Sequence, residues 1–596
     1  MLRKTTRYAV VGAIAVAGAL ATAAAPGPGA KAAETLSGAY LAARHAAQIS
    51  DIAGAARHFA TALRRDPDNR VLMEQAIIYQ TAAGDLENAL KIARKLEAET
   101  PGHRMSALIL TADAIKSGDF ASASARIEGA PGAYHPLIGA MLGAWSAHGA
   151  GEHEKAEAAL AKLDNRAIYQ IFSGYHQGLM RHARGDAAAA VTAFELAAGQ
   201  MTTPTGRIAR AYAAALRDTG DAEGARALYD GASSIAVGDA LLEAEIAAME
   251  AGEAPSLLVA TPAEGAAEAL YGLAAALGRD GEERLSLFYT RTALYLRPSF
   301  DEAALLAAEL LHDQSQYDLA IAAYEKIAAE SPLARSAEIG RADALRARGD
   351  EAEAIEALKA VLRRDPDAVD AHIALGDLYR RTERFAEGIE PYGEAIRLME
   401  AQGRPNWVLY YQRGICHERA KLWEQAEDDF QRALELEADQ PLVLNYLGYS
   451  WLEMDRNLDQ AMDMIRKAVE QRPEDGYIVD SLGWGYFLLE DYDNAVLQLE
   501  RAIELRPIDP VINDHLGDAL WMVGRRLEAE FQWKRALSFD PEDDDRTRIV
   551  DKLKRGLDAV VADENARSGN TGTASTGEEN MGDDDGAGAA ATANDG

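Results

Sequence analysis

The chain has 596 residues, too many for one ordinary globular core, which leaves several domains or one long repeat array. Its net charge of −34 disfavours DNA, RNA and anionic lipid as main partners and suits neutral or basic polypeptides. The single cysteine, Cys416, excludes an intrachain disulfide and any cysteine-based zinc or iron–sulfur centre.

The first predicted element is an export signal with a short linker, residues 1–32. Arg3, Lys4 and Arg7 precede an apolar run from Tyr8 to about Leu20. Ala21-Thr22-Ala23 and Ala30-Lys31-Ala32 then offer small-x-small cleavage sites. The run is short and rich in Ala and Gly, so cleavage is expected rather than a lasting membrane span, and a membrane role exists only if the segment stays uncleaved. A periplasmic location is the expectation. No cysteine stands here for lipid attachment.

From residue 33 the chain repeats itself. Asp480–Pro507 and Asp514–Pro541 are nearly the same sentence thirty-four residues apart. "LG" lies at Leu482-Gly483 and Leu516-Gly517, followed by alanine at Ala495 and Ala529, a bulky residue at Leu499 and Trp533, alanine at Ala502 and Ala536, and proline at Pro507 and Pro541. The alanine recurs at Ala55, Ala89, Ala123 and so on to Ala529, mostly in steps of 33 to 35 residues. Gly388 fills the slot once, and Ser286 fills it where the spacing is irregular. Each unit reads as two amphipathic helices whose small residues mark the closest approach. "GD" pairs such as Gly84-Asp85 mark the turn between them, where glycine accepts a left-handed conformation. No unit can bury its apolar face alone, so the stack is the core.

This frame resembles the tetratricopeptide repeat over about residues 36–541. The resemblance implies an all-α, right-handed superhelical solenoid of about fourteen helix-turn-helix repeats. An N-terminal array (33–234) and a C-terminal array (266–541) are expected to meet at a degenerate repeat or joint, 235–265, where "GEAPSLLVATPAEG" has two prolines and no helical period. A polar capping helix is expected over 542–561, as a solenoid end requires. Residues 562–596, poor in bulky apolar side chains, are expected to form a disordered acidic tail.

No catalytic constellation stands out: there is no G-x-S-x-G, H-E-x-x-H or phosphate-binding loop. Cys416 and His417 are adjacent on a predicted helix, so their side chains diverge. No enzyme activity, cofactor or metal is expected. Function then lies on surfaces. The resemblance implies that the first helix of each repeat lines a concave groove. Its stripe, three residues before the "LG" glycine and one and four after, gives Asn445, Tyr449 and Leu452, then Asp480, Trp484 and Phe487, then Asp514, Asp518 and Trp521. Earlier repeats add Asp343 and Arg346, then Asp377 and Arg380. Repeat grooves that grip a C-terminal carboxylate carry lysine where Asp480 and Asp514 stand, so that mode is rejected. Tyr449, Asp480, Trp484, Phe487, Asp514, Asp518 and Trp521 form the candidate partner-binding set, suited as exposed aromatics beside acids to an extended peptide with Lys or Arg. The acids could equally serve the helix dipole, and the tryptophans could pack on the next repeat.

Leu444–Val469, Gly476–Phe487 and Ile512–Arg525 resemble the C-terminal half of a group of proteobacterial envelope repeat proteins. That group includes lipoprotein adaptors of carboxy-terminal processing proteases, which help degrade cell-wall hydrolases. The resemblance implies a non-catalytic periplasmic scaffold or adaptor, with such a protease or cell-wall enzymes as partners. The missing lipobox cysteine departs from those adaptors. The alternative is a component of an envelope polysaccharide or protein export machinery.

Overall fold

The computed structural model describes residues 35–163, 166–235, 238–279 and 281–568. The predicted export signal lies outside them. Among the described residues there are thirty-one α-helices and no strand. No described helix is long and apolar enough to cross a membrane.

Local chemistry explains the helical pairs. Gly84, Gly118 and Gly185 end first helices at φ of 90°, 77° and 81°. The Asp85, Asp119 and Asp186 carboxylates then accept the backbone N–H three residues on and start the second helix. The repeated alanines are where helices touch: Ala55, Ala89, Ala320, Ala426 and Ala529 are fully buried. A glycine of the first helix lies under the bulky residue four places after the alanine. A methyl on Gly517 would fall 2.4 Å from the Trp533 ring, and one on Gly178 2.5 Å from Phe194. Only glycine lets the aromatic lie flat on the helix.

The chain divides into two compact units, Met1–Leu333 and Ala334–Gly596. The first holds eight helical pairs and one unpaired helix, Ala240–Glu250; the second holds six pairs and two closing helices. Fourteen pairs match the repeat number read from the alanine frame. The boundary, however, lies at 333/334 and not at 235–265, which is interior to the first unit.

The cause is the pair of helices just after the irregular stretch. Pro262–Arg279 and Glu283–Leu296 form a hairpin that turns back onto the first helices Arg70–Ala82, Arg104–Lys116, Pro136–Gly149 and Ala167–Ala183. These are the helices whose shared face a solenoid leaves as its groove. Here the groove is filled. Gly265 lies flat on Trp145, where a methyl would come within 2.2 Å of the indole. Tyr295 Oη donates to Asp113 Oδ1 at 2.7 Å, and Lys116 Nζ donates to the Tyr295 carbonyl. Arg291, almost fully buried, donates to the Ala82 carbonyl at 3.2 Å. One apolar core runs from Met73 to Ala303 through both layers.

At the other end the predicted capping helix is two helices, Asp543–Arg555 and Leu557–Ser568, broken at Gly556 with φ of 82°. Helix therefore extends seven residues into the stretch expected to be disordered. The remainder of that tail lies outside the described residues.

Candidate functional site

The predicted stripe falls on the helices Pro441–Glu453, Gly476–Leu488 and Pro510–Met522. The solvent exposure expected of it is absent. Tyr449, Asp480, Trp484, Asp514 and Asp518 are all buried, and Phe487 and Trp521 are half-buried. Successive first helices pack side by side, and the stripe fills the space between them.

Each acid has an internal counterpart. The Asp480 carboxylate lies 3.0 Å from Nδ1 of His515, one repeat further on. The Trp484 indole stacks on His515 at 4.0 Å between ring centres and on Phe487 at 4.6 Å. Its Nε1–H donates to Glu453 at 2.7 Å. These contacts tie three successive repeats into one polar-aromatic stack.

The last repeat is closed by the cap. Lys552, on the Asp543–Arg555 helix, is fully buried, with Nζ 2.7 Å from both Asp514 Oδ2 and Asp518 Oδ2. Arg548 approaches the same two carboxylates at 3.7 and 3.6 Å. Trp533 Nε1–H donates to Asp518 Oδ1 at 2.9 Å. Burial pushes the Asp518 carboxyl up, while Lys552 pulls it back down. Arg548, between two carboxylates and Glu564, is held well above its ordinary range. Trp521 donates to Asp558 of the final helix at 3.1 Å and carries Arg526 over its ring. The acids do bind a lysine, but the lysine is the chain's own. Lys552 stands thirty-four residues after Asp518, so the repeat frame itself could have pointed to it.

The leading repeats of the second unit differ. On the helix Ala334–Arg348, Asp343 and Arg346 pair at 3.0 Å, with side chains 44% and 25% exposed. Ile339 and Ile373, at the stripe positions of two successive repeats, are half-buried. Asp377 accepts the Tyr392 hydroxyl at 2.5 Å, and burial raises its pKa. Arg380, beside it in the stripe, is buried.

Among the described residues no group of three or more His, Cys, Asp or Glu is arranged to hold a metal ion. Cys416 is buried and His417 Nδ1 lies 2.9 Å from Asp429, so neither serves the other.

With this geometry in view, the relationships are consistent. One tetratricopeptide-repeat family matches residues 40–104 and 339–403, and a second matches residues 481–509. The chain thus carries tetratricopeptide repeats, and its fold is the all-α solenoid of that repeat. Similar curated proteins include BBSome complex member BBS4 of Bos taurus, 32% identical over 107 residues, 18% of this chain and 20% of that protein. Tetratricopeptide repeat protein 13 of Homo sapiens is 27% identical over 187 residues, 30% of this chain and 21% of that protein. A TPR repeat-containing protein of Pseudomonas aeruginosa is 28% identical over 102 residues, 17% of this chain and 15% of that protein. The matched stretch spans about a fifth or less of the length of each relative. Among solved structures, the Cut9–Hcn1 APC/C hetero-tetramer gives a TM-score of 0.37 at 16% identity, covering 81% of this chain and 95% of that chain. Yeast Tom70 gives 0.33 at 13% identity, covering 89% and 97%.

Proposed function

We propose that this protein is a non-catalytic periplasmic scaffold that holds protein partners on the inner face of the leading repeats of its second unit. A tetratricopeptide-repeat stack is suited to binding protein. One observation carries the choice of surface. The first unit fills its groove with its own hairpin, and the last two repeats of the second bury Asp480, Trp484, Asp514 and Asp518 on internal partners. The Ile339–Arg346 stripe keeps apolar and charged side chains half-open. Apolar contacts flanked by a balanced Asp–Arg pair suit an extended polypeptide of mixed charge.

The export signal read at residues 1–32 supports the periplasmic location. The likeness of residues 444–525 to envelope adaptors supports a role in bringing substrates to a carboxy-terminal processing protease.

The test uses the chain without residues 1–32 as tagged bait in envelope extract, beside a variant carrying Asp343→Lys and Arg346→Glu. The swap keeps the ion pair and inverts the pattern offered to a ligand. An envelope protease or cell-wall enzyme retained by the parent and lost by the variant supports the reading. Identical captures from both baits contradict the assigned surface.

A further inference from the structure

The outward face of the second unit holds an anomaly that its own repeats expose. In each second helix of this unit, the residue two after the slot of the repeated alanine points away from the stack. In the first four repeats of this unit it is Glu356, Glu390, Asp428 and Asp463, all exposed. In the last two it is Leu497 and Phe531, 61% and 59% exposed. One turn before Phe531 stands Leu527, 83% exposed, where the preceding three repeats carry Glu424, Asp459 and Asp493.

Solitary exposed leucines are ordinary; three large apolar side chains replacing acids at neighbouring repeat positions are not. The two helices involved, Tyr492–Leu505 and Arg526–Ser538, are linked at the surface. Arg525, which opens the second, reaches Glu500 of the first at 2.9 Å. Glu500 lies one turn after Leu497 and Arg525 lies just before Leu527, so the apolar residues flank one bridge. Nothing in the solenoid needs them, because their helices already bury Leu499 and Trp533 on the opposite face.

Charge identifies the occupant. In a chain of net −34, contact between two copies is favoured where opposite charges can be matched locally, and this patch offers both signs. The helix Tyr492–Leu505 carries three acids against one base, whereas Arg526–Ser538 carries three bases against two acids. Among the described residues, the latter is the only second helix of this unit that is net basic. Under a two-fold axis, the basic helix of each copy meets the acidic helix of the other across a shared apolar centre.

We propose that Leu497, Leu527 and Phe531 form a self-association surface at which a second copy of this chain docks through the same two helices. The self-complementary arrangement of one acidic and one basic helix fits a like copy. An unrelated protein of single-sign charge would meet repulsion from one of the two.

The experiment is sedimentation velocity of the chain without residues 1–32 over a wide concentration range, beside the double variant Leu527→Asp and Phe531→Asp. Dimerisation of the parent, at least tenfold weaker in a variant of unchanged melting temperature, is expected. A parent that stays monomeric throughout overturns the proposal, as does a variant that dimerises as tightly as the parent. Should the double variant melt lower, Leu497→Asp and the unaltered chain decide. Hydrogen exchange that slows on dimerisation across residues 492–505 and 526–538 upholds the surface. Slowing confined to other segments overturns it.

Discussion

Lys552 is fully buried, with two carboxylates 2.7 Å from its Nζ. Such a group is retained because removing it leaves charges buried alone. Lys552→Met should therefore lower the stability of the second unit by about 3 kcal/mol, towards the smaller end for a buried pair because Arg548 remains nearby. Chemical denaturation followed by hydrogen exchange at residues 510–555 reads this directly. His176 gives the second residue-scale expectation. Its Nδ1 accepts the Trp145 Nε1–H at 3.1 Å inside the first unit, and burial lowers its pKa from 6.5 to about 4. The folded chain resists a proton that the unfolded chain accepts. This contribution is fully present above pH 6.5 and is lost as the pH falls towards 4, amounting to about 3 kcal/mol. Melting curves between pH 7 and 4 should fall less steeply for His176→Gln, whose amide oxygen can still accept from Trp145. Equal slopes for the two proteins would remove His176 from the account. At this scale the sequence was legible in position and misleading in environment. The stripe residues stand where the repeat frame put them, but no local pattern reveals that His515 and Glu453 reach them from neighbouring helices, and only the thirty-four-residue offset from Asp518 points to Lys552.

The element that decides the first unit is the hairpin of Pro262–Arg279 and Glu283–Leu296. Its docking turns on Gly265, the residue on which Trp145 rests. A methyl there meets a fully buried ring held by its own hydrogen bond, so neither side can yield cheaply. Gly265→Ala should destabilise the first unit by roughly 2 kcal/mol and loosen the hairpin before the outer helices. Limited proteolysis should then cut first within residues 251–296, whereas Gly231→Ala, inside a helix with open space around it, should not loosen the hairpin. The helices themselves were readable from a period of 33 to 35 residues, because alanine, glycine, aromatic and proline each have one physical place in the pair. The hairpin's destination was not readable. Its apolar residues look like those of any repeat, and its return onto helices as far back as Arg70–Ala82 leaves no periodic mark. Residues 235–265, read as a joint between arrays, lie inside the first unit, and 251–261 within them is the connection that leads into the hairpin.

On the scale of the whole molecule, the sequence established the repeat number and the fold, while the covering of inner faces emerges only from tertiary packing. The first unit fills its concave face with its own hairpin, and the second unit closes its last repeat with its own cap. That occupation is the central claim, because it moves partner binding away from Asp480, Asp514 and Asp518 towards Asp343 and Arg346. The most direct measurement is hydrogen exchange with mass spectrometry on the chain without residues 1–32, free of any partner. The account predicts that residues 262–296 exchange as slowly as the helices Arg104–Lys116 and Pro136–Gly149 against which they pack, and that residues 543–555 exchange as slowly as 510–522. Rapid exchange across both segments, beside slow exchange in the helices they cover, would mean open grooves and would contradict it.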